Sequence, residues 1–227
     1  MRYPNILEAT FVRRRNRFVA EVSIDGTTEL VHVKNTGRLE GLLVPGGRVY
    51  LFAPGTPNRK TAYDLVAARN GDGRLFNVDS QATNAVIKEW LGELGLELVV
   101  PEHRYRSSRI DFYLERQTGT GTSRTLMEVK GCTLVRDGKG LFPDAPTARG
   151  TRHLQELMNA AAAGYQAIVA FVPGTEGVTE VVAHADIDPA FARALEEARH
   201  AGVTVLTLPC CVEPDAFCVL PGVTLPA

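Results

Sequence analysis

Thr125-Leu-Met-Glu-Val-Lys130 carries a carboxylate and an ammonium inside a run that otherwise reads as a buried strand. Charged groups are seldom placed in an apolar strand without a partner or a task. Glu128 and Lys130 are two residues apart, so they share one face of the strand. Upstream, Ser108-Arg-Ile-Asp-Phe112 shows the same anomaly. Gln117 to Ser123, rich in Gly and Thr, reads as a hairpin loop between the two strands. In a suitable register that hairpin makes Asp111 and Glu128 near neighbours. Two adjacent carboxylates repel unless a cation neutralises them. Two hard oxygen ligands with room for water suit Mg²⁺ or Mn²⁺. Lys130 then serves to orient or deprotonate a water or to neutralise an oxyanion, a set suited to phosphodiester hydrolysis. The alternative is a Lys130–Glu128 or Lys130–Asp111 salt bridge on a solvated face.

Outward from this pair, the chain reads as alternating elements. Val86, Ile87, Trp90, Leu91 and Leu94 form one helical stripe, with Asp79 or Ser80 as cap and Gly95 as stop. Leu96 to Val100 reads as a strand. Gly131 to Ala148 reads as a long irregular segment, of the kind that is usually functional or mobile. Leu154, Leu157, Met158, Ala161 and Ala162 mark a helix ending at Gly164. Arg149, His153 and Glu156 fall at i, i+4, i+7 on the side opposite that stripe. There His153 contacts a scissile phosphate or positions water, or else the face is simply solvated. Asp144, in the long segment, is a candidate for ordering the site. Ala167 to Val172 is continuously apolar, as a strand buried on both faces would be. The β-α-β passage across residues 125–172 requires a parallel pair with a right-handed crossover. Asp188-Pro189 starts a further helix, and Val203 to Leu208 is the last clear strand.

The first 78 residues differ in character. Short strands joined by Gly and Pro turns, including Asp25-Gly26 and Gly46-Gly47, predict a small β-barrel. The expected division is residues 1–78 and 79–227. The first 100 residues hold 13 Lys or Arg against 11 Asp or Glu, and the remainder 12 against 15. The net charge of −1 therefore excludes a general cationic coat but not a local basic site. Alternation places Arg13, Arg15 and Arg17 on one face, a row able to follow a phosphate backbone or to be merely solvated. Asn35-Thr-Gly-Arg38 is a second candidate, with Gly37 permitting backbone approach to a phosphate and Arg38 pairing with it. A simple turn is the other reading.

No apolar run reaches the roughly 18 residues of a membrane span. Residues 1–8 lack an apolar signal core, which predicts the cytosol and no membrane partner. Cysteines 132, 210, 211 and 218 are then expected to stay reduced, as small buried hydrophobes rather than zinc ligands.

Asp111…Glu128-x-Lys130 within an α-β-β-β-α-β succession resembles the PD-(D/E)xK nuclease core. More narrowly, the chain resembles the sugar fermentation stimulation protein A family from about residue 8 to 208. The resemblance rests on Arg14-Arg-Asn-Arg-Phe-Val-Ala-Glu-Val22, Asn35-Thr-Gly37, Ser108-Arg-Ile-Asp-Phe112, Glu128-Val-Lys130, Phe142-Pro-Asp-Ala145 and Arg149-Gly-x-x-His-Leu-x-Glu-Leu157. It implies an N-terminal OB-type barrel, a C-terminal restriction-endonuclease-like α/β domain, DNA binding (with RNA open) and a nuclease activity, and the family name implies a link to the regulation of sugar utilisation; backbone-based contacts predict low sequence specificity. The proline of the nuclease signature is absent, since Ile110 precedes Asp111. Such cores often add an acidic ligand from the first helix or strand. Glu89 and Glu102 are the candidates, and Glu102 is preferred. Two rival readings are a non-catalytic DNA-binding regulator on the same scaffold and a Mg²⁺-dependent hydrolase of small phosphates. The latter lacks any Gly-rich P-loop.

Overall fold

Alternating apolar residues build the first sheet. The structure is a computed structural model that describes residues 1–106, 108–119 and 121–226. The six strands are β1 (Ile6–Arg14), β2 (Val19–Ile24), β3 (Thr27–Val33), β4 (Arg48–Phe52), β5 (Tyr63–Arg69) and β6 (Leu75–Asn77). They lie in the order β3-β2-β1-β4-β5-β6, and a further β3–β5 pairing closes the first five into a barrel. Phe11, Val22, Val31, Val49, Leu51 and Leu65 point inward and are fully or almost fully buried. Closure leaves few open edges, which is how a small all-β unit avoids edge pairing. The β2–β3 turn has positive φ at both Asp25 (48°) and Gly26 (83°), the requirement of a tight hairpin turn matched to strand twist.

The second unit is built around α1 (Ala82–Glu93), β7 (Leu98–Tyr105), β8 (Ser108–Thr118) and β9 (Gly121–Cys132). Next come β10 (Val135–Arg136), β11 (Lys139–Phe142), α2 (Ala148–Ala162), β12 (Gln166–Pro173) and β13 (Val181–Ala183). The chain ends with α3 (Pro189–His200), β14 (Thr204–Thr207), β15 (Cys210–Glu213) and β16 (Ala216–Val219). A five-stranded sheet runs β14-β12-β9-β8-β7. β9 and β12 are parallel, with Glu128 opposite Val169 and Lys130 opposite Phe171, and α2 is their crossover. β12 is buried from Ala167 to Pro173, as its apolar run requires. One face of the sheet packs on α1 and the β15–β16 hairpin through Ile87, Leu91, Phe112, Met127 and Phe217. The other face packs on α2 and α3 through Leu126, Leu154, Leu157, Phe171 and Phe191.

Local signals explain the helix ends. Thr147 caps α2 by accepting the Gly150 N–H, and Asp188 caps α3 by accepting the Phe191 N–H, with Pro189 at the first helical position. Asp188 also accepts the Thr147 N–H at 2.8 Å, so one carboxylate ties two helix starts together. For α1 the capping residue is Gln81, whose side chain makes no cap bond, and Asp79 instead accepts the Gln81 N–H.

Several expectations need correction. The segment 131–148 is not wholly irregular. It contains the β10–β11 hairpin, and β11 pairs in parallel with β13. Val203 to Leu208 is not the last strand, since β15 and β16 follow. Their register sets Cys211 opposite Cys218 with Cα atoms 5.4 Å apart, and the two form a disulfide. The expected reduced pair is thereby overturned, because hairpin register rather than sequence spacing brings the thiols together. Cys132 and Cys210 remain free and buried. The start of the chain does not enter the barrel sheet: Arg2 bridges Ala216 and the Tyr3 N–H donates to the Asp215 carbonyl. A polar network spans the two units, with Lys34 Nζ 2.6 Å from Asp79 Oδ2 and 3.4 Å from Asp64 Oδ2. Among the described residues no helix is long and apolar enough to cross a membrane.

Candidate active site

The β8–β9 ladder runs as far as the Phe112–Met127 pair. Beyond it, the Val129 N–H donates to Asp111 Oδ2 at 2.8 Å, so a side chain takes a bond that a strand carbonyl would otherwise accept. The other Asp111 oxygen accepts Asn84 Nδ2 at 2.9 Å from α1. Asp111 is thus held from two elements. Its carboxyl is pushed up by burial and by the charge of Glu128, against the two hydrogen bonds and the pull of Lys130. The two carboxylates therefore lie within electrostatic reach of one another.

Glu128 is 2% exposed. Burial pushes its carboxyl up, but the hydrogen bond from His153 and the charge of Lys130 outweigh burial and hold it below the usual carboxylate range. Lys130 Nζ donates to Glu128 Oε1 at 2.5 Å, and His153 Nδ1 meets the same oxygen. Arg149 Nε donates to His153 Nε2 at 3.3 Å. A guanidinium can only donate, so Nε2 is placed to accept from Arg149, while Nδ1 faces Glu128 Oε1 and, at 3.4 Å, Lys130 Nζ. Glu128 Oε2, by contrast, is buried and has no hydrogen-bond partner. An orphaned carboxylate oxygen in the interior costs about 1–3 kcal/mol unless something binds it.

This donor set suits a hard divalent cation. Mg²⁺ is typically held by one or two carboxylates and keeps several waters, and Glu128 Oε2 together with Asp111 offers such a site. Among the described residues no three His, Cys, Asp or Glu side chains form a ready-made metal cage.

The expected residues divide into those brought together and those set apart. Asp111, Glu128, Lys130, His153 and Arg149 form one connected group. His153 departs from its expected place: it is 4% exposed, buried beside the Leu154 stripe rather than opposite it. Glu102 does not join. The flanking pairs Pro101–Phe112 and His103–Ile110 set it across from Asp111, yet its backbone is left-handed (φ 54°). Its carboxylate, 56% exposed, pairs with Arg109 at 3.3 Å. Glu89 lies 2.6 Å from the N-terminal ammonium of Met1.

In the barrel, the row of three arginines does not form. β1 ends at Arg14, and Arg17 lies in the following turn. A register shift between Phe11 and Arg13 breaks the alternation. Arg13 and Arg15 both bind Glu21, at 2.7 and 2.5 Å, leaving their exposed heads only partly neutralised. Asn35 Oδ1 accepts the Gly37 N–H at 2.8 Å, and the Arg38 N–H donates to Asp144 Oδ2 at 3.2 Å. A Cβ on Gly37 would collide with the Asp144 carboxylate, so glycine is what lets the loop close on the second unit. A cavity of ≈130 Å³ lies there, lined by Asn35, Asp79, Thr83, Asp144 and Gly131, the residue after Lys130.

Sequence reasoning missed Asn84 and Arg14. Asn84 lies three residues before the Ile87 stripe and carried no signal of its own. Arg14 was hidden inside an arginine run, yet it donates to the carbonyls of Asn35, Gly37 and Arg17 at 2.6–2.7 Å.

Comparison with known proteins gives a consistent result. Residues 12–78 match the family described as the SfsA N-terminal OB domain, and residues 78–216 match the sugar fermentation stimulation protein RE domain. A sugar fermentation stimulation protein homolog of Desulfitobacterium hafniense is 46% identical over 221 residues, covering 96% of this chain and 94% of its own. The homolog of Ruminiclostridium cellulolyticum is 43% identical over 217 residues, covering 94% of each chain. The solved structure of Pyrococcus furiosus SfsA in complex with Ca²⁺ superposes with a TM-score of 0.82 at 29% identity, covering 96% of this chain and 95% of that one.

Proposed function

The chain belongs to the sugar fermentation stimulation protein family, and from that premise we propose that it is a divalent-metal-dependent phosphodiesterase acting on nucleic acid, DNA in the first instance. The observation that carries this reading is Glu128 itself: one oxygen is held by Lys130 and His153, while the other is buried without a partner. The Ca²⁺ of the Pyrococcus furiosus protein supports a divalent site on the same fold.

In this reading Asp111 and Glu128 hold Mg²⁺ or Mn²⁺. The bound cation supplies a Lewis acid for a phosphoryl oxygen and lowers the pKa of water. The chain's own residues do the rest. His153 holds Glu128 by Oε1 and so leaves Oε2 to the cation. Lys130, 14% exposed, keeps N–H groups free to orient water or neutralise developing oxyanion charge. Arg149, exposed at the start of α2, is placed to pair with a phosphate. The barrel, residues 1–78, contacts backbone rather than bases, which gives low sequence specificity and strong salt dependence.

The test is incubation with single-stranded DNA, duplex DNA and RNA, in Mg²⁺, Mn²⁺ or EDTA, with Lys130→Ala alongside. Cleavage should require the metal and fall at least about 100-fold in Lys130→Ala, the loss typical of one electrostatic donor. Cleavage that survives EDTA, or is unchanged in the variant, refutes the mechanism. The rival reading is a DNA-binding regulator without catalysis. Binding without cleavage in either metal selects that reading.

A further inference from the structure

Phe18 is 52% exposed, the largest exposure among the big apolar side chains described. It stands in the β1–β2 turn, and the turn is unusually well tied. Asn16 Oδ1 accepts the Phe18 N–H at 2.8 Å and the Val19 N–H at 3.0 Å. The Phe18 carbonyl accepts the Val33 N–H at 2.8 Å. Arg14 donates to the carbonyls of Asn16 and Arg17 from below, at 3.2 and 2.7 Å. The backbone on both sides of the ring is therefore held, yet the ring itself is left in water. A phenyl ring so exposed forgoes much of the stabilisation that burial would give it.

Its surroundings are cationic. Arg13 and Arg15 are 64% and 51% exposed, while the Glu21 that they share is 9% exposed. Arg17 adjoins the ring in sequence and is also exposed. The anion of the group is thus buried and its cations face solvent. We infer that Phe18 is a stacking platform for an unpaired base, and that the ligand of this barrel tip is single-stranded nucleic acid. An exposed aromatic side chain on a held backbone, with exposed arginines close to it in the chain, is the pattern that binds bases by their π-faces and phosphates by charge. A base paired inside a duplex presents no free face to it. The inference deepens the nucleic-acid reading and rests on it.

Arg14 connects this platform to the cleavage site. The same guanidinium that supports the turn also donates to the carbonyls of Asn35 and Gly37, at 2.6 and 2.7 Å. That loop in turn meets Asp144, and both line one cavity with Gly131, the residue after Lys130. The platform is hence tied by hydrogen bonds to Asp144 of the second unit, the unit that carries Glu128 and Lys130, which suits a strand gripped at Phe18 and cut beyond it.

Binding is measured in EDTA, so that cleavage plays no part, by anisotropy of labelled oligothymidylate, the same backbone with abasic sites, and a duplex. Phe18→Ala should weaken oligothymidylate binding roughly 5- to 150-fold, the range for loss of one stacked base. It should leave the salt slope, the abasic strand and the duplex unchanged, because stacking releases no counterions. Phe18→Tyr should restore binding. Arg15→Ala should lower the salt slope by about one on all three probes. In Phe18→Trp the added indole should be quenched by oligothymidylate; the single native tryptophan, Trp90, is 5% exposed. If the wild type binds oligothymidylate and Phe18→Ala loses nothing, or loses equally on the abasic strand, the platform is refuted and the nuclease reading stands. If the wild type binds no probe, both fall.

Discussion

Removing the Lys130 ammonium should destabilise the fold through Glu128, and the effect can be isolated. Lys130 and Glu128 side chains are 14% and 3% exposed and 2.5 Å apart. In Lys130→Met the volume is nearly kept, but Glu128 is left as a buried anion with only His153 to satisfy it. Breaking a buried pair on one side costs about 3–5 kcal/mol. We expect the lower end, about 3 kcal/mol, because the His153 bond survives. For a chain of this size, about 2–4 °C of Tm accompanies each kcal/mol, so the melting point in EDTA should fall roughly 6–12 °C. Glu128→Gln removes the charge that needs Lys130 and leaves an ammonium near enough to the surface to be hydrated, at a cost of about 1 kcal/mol. The double variant should then melt above Lys130→Met, with a coupling of about 2 kcal/mol. Differential scanning calorimetry of the four proteins closes the cycle. If Lys130→Met melts within about 2 °C of wild type, or if the single effects add within about 0.5 kcal/mol, the buried-pair reasoning is refuted.

Two further outcomes follow from the barrel and the hairpin. Asp64 is buried; burial raises its carboxyl, but Arg59, Lys34 and His32 prevail and hold it below its ordinary 3.8. Its contribution is therefore complete above that ordinary value and is lost as pH falls through the lower folded value. Acid denaturation curves should lose part of their slope below about pH 4 in Asp64→Asn, and an unchanged slope would count against the assignment. Cys211–Cys218 closes a short loop, separation 7, worth about 2–3 kcal/mol by chain entropy. Reduction should lower Tm by roughly 4–12 °C. Thiol titration of the unreduced protein in denaturant should find only Cys132 and Cys210 free.

Much of the architecture was legible because it rests on local periodicity. The Ala167–Val172 run announced a doubly buried strand, and its place after a helix required a parallel partner, which is β9. The Glu128-x-Lys130 spacing announced a shared strand face, and both side chains meet at one oxygen-centred contact. The arginine row failed because alternation holds only while a strand stays regular, and β1 shifts register before Arg13 and ends at Arg14. The disulfide escaped because pairing depends on where a hairpin turns, which spacing alone does not state.

The sequence by itself determined the three helices, most of the longer strands, the barrel followed by an α/β unit, and the residues carrying unusual charge within strands. These are properties of side-chain pattern along one chain. Tertiary structure alone decided which of those charges meet. His153 reaches Glu128 only because α2 lies on the face to which Glu128 points. Glu102, expected as a ligand, is turned outward by one left-handed backbone angle. Asn84 holds Asp111 only because α1 packs across the opening of the β8–β9 ladder. Convergence of groups far apart in the chain depends on packing angles and single dihedrals, and these leave no periodic trace in the order of residues.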